Sequence, residues 1–136
     1  MFTKFQDQLA LTARVLMAVL FLIAGYGKIA GFAGTAGYIA SKGLPLPQLG
    51  VVIAIVVELG GALALIAGYQ TRVVALVMAV FTVATGVIFH NFWALPADQV
   101  MINQIMFMKN LSIAGGLLMM SAFGAGALSL DARRKA

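Results

Sequence analysis

Four apolar runs dominate the chain, approximately Leu9–Ala30, Leu46–Gly68, Val73–His90 and Ile102–Phe123. Each is near the ~20 residues a helix needs to cross a hydrocarbon core of ~30 Å. The runs lack the alternation of barrel strands and are too long to be single ones. Between them stand "SKGLPLPQ", "GYQTR" and "HNFWALPADQ", which carry ordinary turn chemistry. The expectation is an all-α polytopic membrane protein, a four-transmembrane-helix antiparallel bundle forming one domain over residues 1–136. One tight turn and two longer loops would join the spans.

Composition removes several alternatives. Charged residues make up only 10% of the chain, where a soluble domain carries about a quarter. With no cysteine, disulfides, thiol redox chemistry and zinc–thiolate sites are excluded. One histidine, His90, rules out a multi-histidine metal site or paired-histidine haem ligation. The net charge of +5 is scattered rather than striped, which argues against nucleic acid. A cleaved signal peptide is disfavoured at the start, because Asp7 accompanies Lys4 and Arg14 interrupts the apolar run.

Basic residues near span ends set orientation. Lys4, Arg14, Arg72, Arg133, Arg134 and Lys135 collect on the side of the two termini, against Lys28 and Lys42 on the other. Both termini are therefore expected in the cytoplasm.

One carboxylate, Glu58, falls near the middle of the second span. A charge at the bilayer centre costs ~2.5–3.5 kcal/mol on insertion scales. Arg14 and Lys109 lie at depths about 6–9 Å away along the axis, within reach of long basic side chains. The expected remedy is a buried ion network of Arg14, Glu58 and Lys109. Small residues flank Glu58 at helical spacing, Lys28 shares a face with Arg14, and Asn103 and Asn110 form a polar stripe beside Lys109. Two readings of this set stand together: a structural network that fixes helix register, or a polar pocket for a headgroup or proton. In the second, Lys28, Glu58, His90, Lys109 and Asn110 line a ligand site opening toward the outer face. His90 is either a solvated or hydrogen-bonded cap at the end of the third span or would exchange protons there with a quinone, imidazole being the side chain that changes charge near neutral pH.

Bland roles suit the rest. Trp93, Tyr26 and Tyr38 fit an aromatic belt, and the eight methionines read as adaptable packing rather than copper ligands. The Arg133-Arg134-Lys135 run fits anionic lipid headgroups.

The succession "ARVLMAVLFLIAGYGKIAGF", "YIASKGLPLP", "VVELGGALALIAGYQTRVVAL", "FHNFW", "FMKNLSIAGGLLMM" and "GAGALSLD" resembles the DoxX family of small bacterial inner-membrane proteins along nearly the whole chain. Arg14 with Gly25 and Lys28, the Gly43–Pro45–Pro47 loop, Glu58–Gly60–Gly61 leading to Gly68 and Arg72, and Asp131 carry the likeness. The resemblance implies a four-helix bundle in the bacterial inner membrane, with Arg14, Lys28, Glu58, Arg72, Lys109 and Asn110 as motif positions. It also implies a link to a membrane subunit of a thiosulfate:quinone oxidoreductase or of an oxidative-stress complex. Without cysteine, such a role needs a bound quinone, a lipid-soluble substrate or a soluble or membrane oxidoreductase partner. No covalent cofactor is expected. A non-enzymatic scaffold or lipid-binding protein is the alternative, and a homo-oligomer is compatible with either.

Overall fold

A computed structural model describes residues 2–134; Lys135 of the basic tail lies outside the described residues. The described residues form helices joined by turns, with no strand among them, because a backbone facing lipid must satisfy its own hydrogen bonds. A 3-10 turn, Phe2–Phe5, leads into α1, Gln6–Ala30. Gly31 ends α1, its N–H donating to Gly27 O at 2.8 Å. A short helix, α2, Phe32–Ser41, follows at once in what the sequence reads as loop.

The second span has three parts. It begins as α3, Pro47–Ile55, with proline inside the first turn, where its missing N–H leaves nothing unpaired. It passes through a π-turn, Val56–Gly60, and ends as α4, Gly61–Ala67. Gly68 then takes the left-handed conformation (φ +66). The Tyr69 N–H closes back on Ala64 O at 2.9 Å, a glycine-stopped helix end. The third and fourth spans are α5, Thr71–Phe89, and α6, Ala97–Phe123, joined through a 3-10 turn at Phe92–Ala94. After Gly124 the chain folds back under the bundle and closes with α7, Leu130–Arg133, capped by Ser129 Oγ accepting from the Ala132 N–H.

All four spans are long and apolar enough to cross a membrane. The fourth starts at Ala97, earlier than Ile102, because Asp98, Gln99 and Asn103 dilute its first turns without breaking the helix.

Packing orders the spans. α1 lies against the π-turn and α4, α4 against α5, α5 along α6, and α2 caps α3. The main core is alanine-rich, with Ala18, Ala62, Ala75, Ala79 and Ala114 around Phe21, Leu65, Met78 and Leu117. Small residues suit this setting, since lipid tails are as apolar as leucine and helices must gain by close van der Waals approach. A second cluster, Ala36, Ile39 and Val51, seats α2 on α3. The stacked rings of Tyr38 and Phe89, 5.5 Å apart, tie α2 to α5. The bundle has a terminal end, holding the start of α1, α7 and the α4–α5 turn, and a loop end opposite.

Candidate functional site

Glu58 is buried in the π-turn, and its partner is Lys28. Lys28 Nζ donates to Oε1 at 2.9 Å and to Oε2 at 2.8 Å. The directions of the helices explain the choice. Side chains lean toward the N-terminus of their own helix. Lys28, near the loop end of α1, therefore leans into the bilayer, while Glu58 on an antiparallel span leans out to meet it. Gly25, one turn before Lys28, brings the backbones together: a Cβ there would lie 2.7 Å from Leu59 Cγ and 3.3 Å from Glu58 Cβ. The π-turn adds a residue to the helical repeat at this level, a distortion found often at functional sites. Lys28 keeps 26% of its side-chain surface accessible against 8% for Glu58, so the pair is approached from the lysine side.

Arg14 does something else. It is 1% exposed, and its guanidinium binds carbonyls. Nη1 donates to Leu65 O at 2.9 Å and Ile66 O at 3.1 Å, and Nη2 donates to Leu128 O. Leu65 O also accepts from the Gly68 N–H at 3.1 Å, and a cation at this helix end complements the remaining carbonyl capacity and the negative end of the helix dipole. Gly68 makes room: a Cβ would overlap Arg14 Nη1 and Ser129 Cβ. Beside it, Asp131 accepts from Gln70 N at 2.7 Å and Thr71 N at 2.8 Å, capping the start of α5, while the Asp131 N–H donates to Gly68 O at 2.9 Å. Arg72 Nη1 donates to Ala122 O at 2.6 Å, and Asp7 accepts from Ala127 N at 2.8 Å. This terminal knot ties segments that are remote in sequence.

The expected network of Arg14, Glu58 and Lys109 is thus corrected. Glu58 pairs with Lys28, Arg14 pairs with carbonyls, and Lys109 makes no hydrogen bond or ion pair among the described residues. Neighbouring Asn110 shows why. Its Nδ2 donates to Thr82 O at 3.1 Å, holding α6 to α5. Consecutive helical residues diverge by about 100°, so Lys109 is turned out of that contact. It lies instead in a groove lined by α1 and α6 residues, including Leu20, Gln104 and Ile113, to which neither Lys28 nor Glu58 contributes. Lys28, Glu58, His90, Lys109 and Asn110 therefore do not share one polar lining. His90 Nδ1 stands 3.2 Å from the accepting Asn103 Oδ1, at the loop end. Trp93 is exposed beside Phe92 and Phe107, in edge-to-face contacts of 5.2 and 5.5 Å. No three His, Asp or Glu side chains come together as a metal set among the described residues.

The backbone acceptor Leu128 O had no signal in the sequence, since its partner Arg14 is more than a hundred residues away. The Lys28–Glu58 pairing did have one, in the lean of side chains on antiparallel helices.

The sequence pattern of the DoxX family matches residues 9–91, more than half the chain. Inner membrane protein YqjF of Escherichia coli (strain K12) is 44% identical over 128 residues, covering 94% of this chain and 93% of its own. Inner membrane protein YphA of the same organism is 42% identical over 125 residues, covering 92% and 89%. The ER-derived vesicles protein ERV29 of Saccharomyces cerevisiae (strain ATCC 204508 / S288c) is 28% identical over 81 residues, covering 60% of this chain and 26% of its own. No solved structure matches significantly.

Proposed function

The chain belongs to the DoxX family, and on that premise we propose that it is an inner-membrane subunit presenting a quinone or lipid headgroup to an oxidoreductase partner. The observation that carries the reading is the Lys28–Glu58 pair: a carboxylate buried on the π-turn of the second span, met by a partly accessible lysine from the last turn of α1. The ammonium is suited to donate a hydrogen bond to a quinone carbonyl, and the carboxylate to pass a proton. Reduction of a quinone to a quinol takes two electrons and two protons. The partner would supply the electrons, and Glu58 would relay protons to the carbonyl oxygens.

A short-tailed ubiquinone analogue should raise the melting temperature of the detergent-solubilised protein, and Lys28→Met with Glu58→Gln should abolish the rise. A second reading, a non-enzymatic scaffold, is favoured by the two short Lys28–Glu58 bonds, which satisfy both carboxylate oxygens within the protein. Analogues that leave the folded wild type unprotected would decide for the scaffold.

The six-to-two basic bias supports an orientation with both termini in the cytoplasm. In this cysteine-free chain, Ala97→Cys should react with an impermeant thiol reagent in spheroplasts while Phe5→Cys stays protected. The reverse pattern would invert the topology.

A further inference from the structure

The four spans carry Arg14, Lys28, Arg72 and Lys109. The first binds carbonyls, the second Glu58, the third Ala122 O. Among the described residues, Lys109 alone of these has no partner. It is exposed in the middle of α6, the least apolar and the least buried of the four spans. A lipid-facing lysine at that depth calls for an anion.

The surface beside it is shaped to receive one. Between α1 and α6 run two stretches of groove, of ≈ 670 and ≈ 620 Å³, that share Leu20 and Ile113. Each is of ligand size. The loop-ward stretch carries Lys109, Gln104 and Ser112. The other is walled by apolar side chains such as Met17, Met120 and Phe123. Arg14 also borders it; Nη1 and Nη2 are engaged, and its buried Nε has no hydrogen-bond partner among the described residues. Both stretches are walled mainly by apolar side chains, and the loop-ward one adds the Lys109 ammonium. Ser112 Oγ is occupied by Met108 O at 3.0 Å, which leaves Lys109 and Gln104 as donors. Lys109 leans toward the N-terminal end of α6, and so toward Gln104.

We propose that this groove binds a single-tailed amphiphile with an acidic head, its oxyanion on Lys109 and Gln104 and its tail over Leu20, Ile113 and Met17. Depth selects the single tail. Lys109 is roughly twelve residues, or about 18 Å, below the start of α6, deeper than the headgroup layer. A two-chain phospholipid is held near that layer by its glycerol, whereas a single-chain acid can slide inward. Charge excludes a second copy as the occupant. The carboxylates of this chain are Asp7, Glu58, Asp98 and Asp131; Glu58 is paired, and the others lie near the ends of the bundle. Two copies joined through this face would set Lys109 against Lys109 with no counter-charge. The site is separate from the Lys28–Glu58 pair and holds whether or not a quinone binds there.

Native mass spectrometry and thermal melts in dodecyl maltoside test this with three probes: hexadecanoic acid, farnesyl phosphate and uncharged hexadecanol. One acidic amphiphile per chain should bind, at least ten-fold more weakly to Lys109→Met and within three-fold of wild type to Lys109→Arg. Whichever acid binds tighter identifies the head as carboxylate or phosphate. Glu58→Gln should leave this binding unchanged, so failure here is distinct from failure of the quinone reading. Equal binding of hexadecanol, undiminished binding to Lys109→Met, or a dimer that Lys109→Met dissociates would each overturn the proposal.

Discussion

The terminal knot and the Lys28–Glu58 pair both place cations within an apolar bundle, and they solve the problem in opposite ways. Arg14 is enclosed and meets neutral carbonyls on two separate segments, Leu65 and Ile66 in α4 and Leu128 before α7. Lys28 meets a single opposite charge on the neighbouring span and keeps an accessible flank. The first arrangement cannot let go without unpinning the C-terminal segment from the bundle. On the proposed reading, the second would exchange its partner for a ligand with only a side-chain movement.

The strongest challenge to this contrast is Arg14→Met. It removes charge-assisted hydrogen bonds worth about 1.5–3 kcal/mol each, so the loss should exceed about 3 kcal/mol. Detergent melts and size-exclusion profiles would report it as a collapse of folded yield. Gly68→Ala comes next. Its Cβ would strain a left-handed residue and press on Arg14 and Ser129, at a cost of about 2–3 kcal/mol. Similar melting temperatures for Gly68→Ala and wild type would show that the knot is loose.

At the pair, order matters. Lys28→Met leaves an uncompensated buried carboxylate and should lose about 2 kcal/mol, softened by the open flank on the lysine side. Glu58→Gln keeps acceptors for Lys28 and should lose about 1 kcal/mol. The double variant should recover part of the sum, a coupling of about 0.5–2 kcal/mol in a melting cycle. Strict additivity would mean that the two charges do not depend on one another. Lys109→Met is expected to be smallest, within about 0.5 kcal/mol of wild type, because no internal contact is lost. A loss as large as that of Lys28→Met would mean that Lys109 has a partner within the fold.

How far the sequence reached differs between these regions. Glu58 in a run of small and apolar residues announced a buried charge needing a cation, and Lys28 was already a candidate. The π-turn was not legible, because one extra residue in a helical repeat leaves the apolar pattern of Val56–Gly60 unchanged. Depth alone favoured Arg14 and Lys109 as partners for Glu58. Depth from helical rise is one coordinate; azimuth and neighbour order are the other two, and Asn110 bonding to Thr82 turns Lys109 away.

What the sequence by itself determined was everything set by local composition. Four spans follow from the length of apolar runs, helix from the need to pair the backbone in lipid, and turns from Gly68, Pro47 and Pro96. Tertiary structure decided which cation meets which acceptor. Those choices depend on which helices adjoin and how closely Gly25 and Gly68 let them approach. Arg14 and Leu128 O meet because the chain folds back under the bundle, a relation between distant segments that no local pattern encodes.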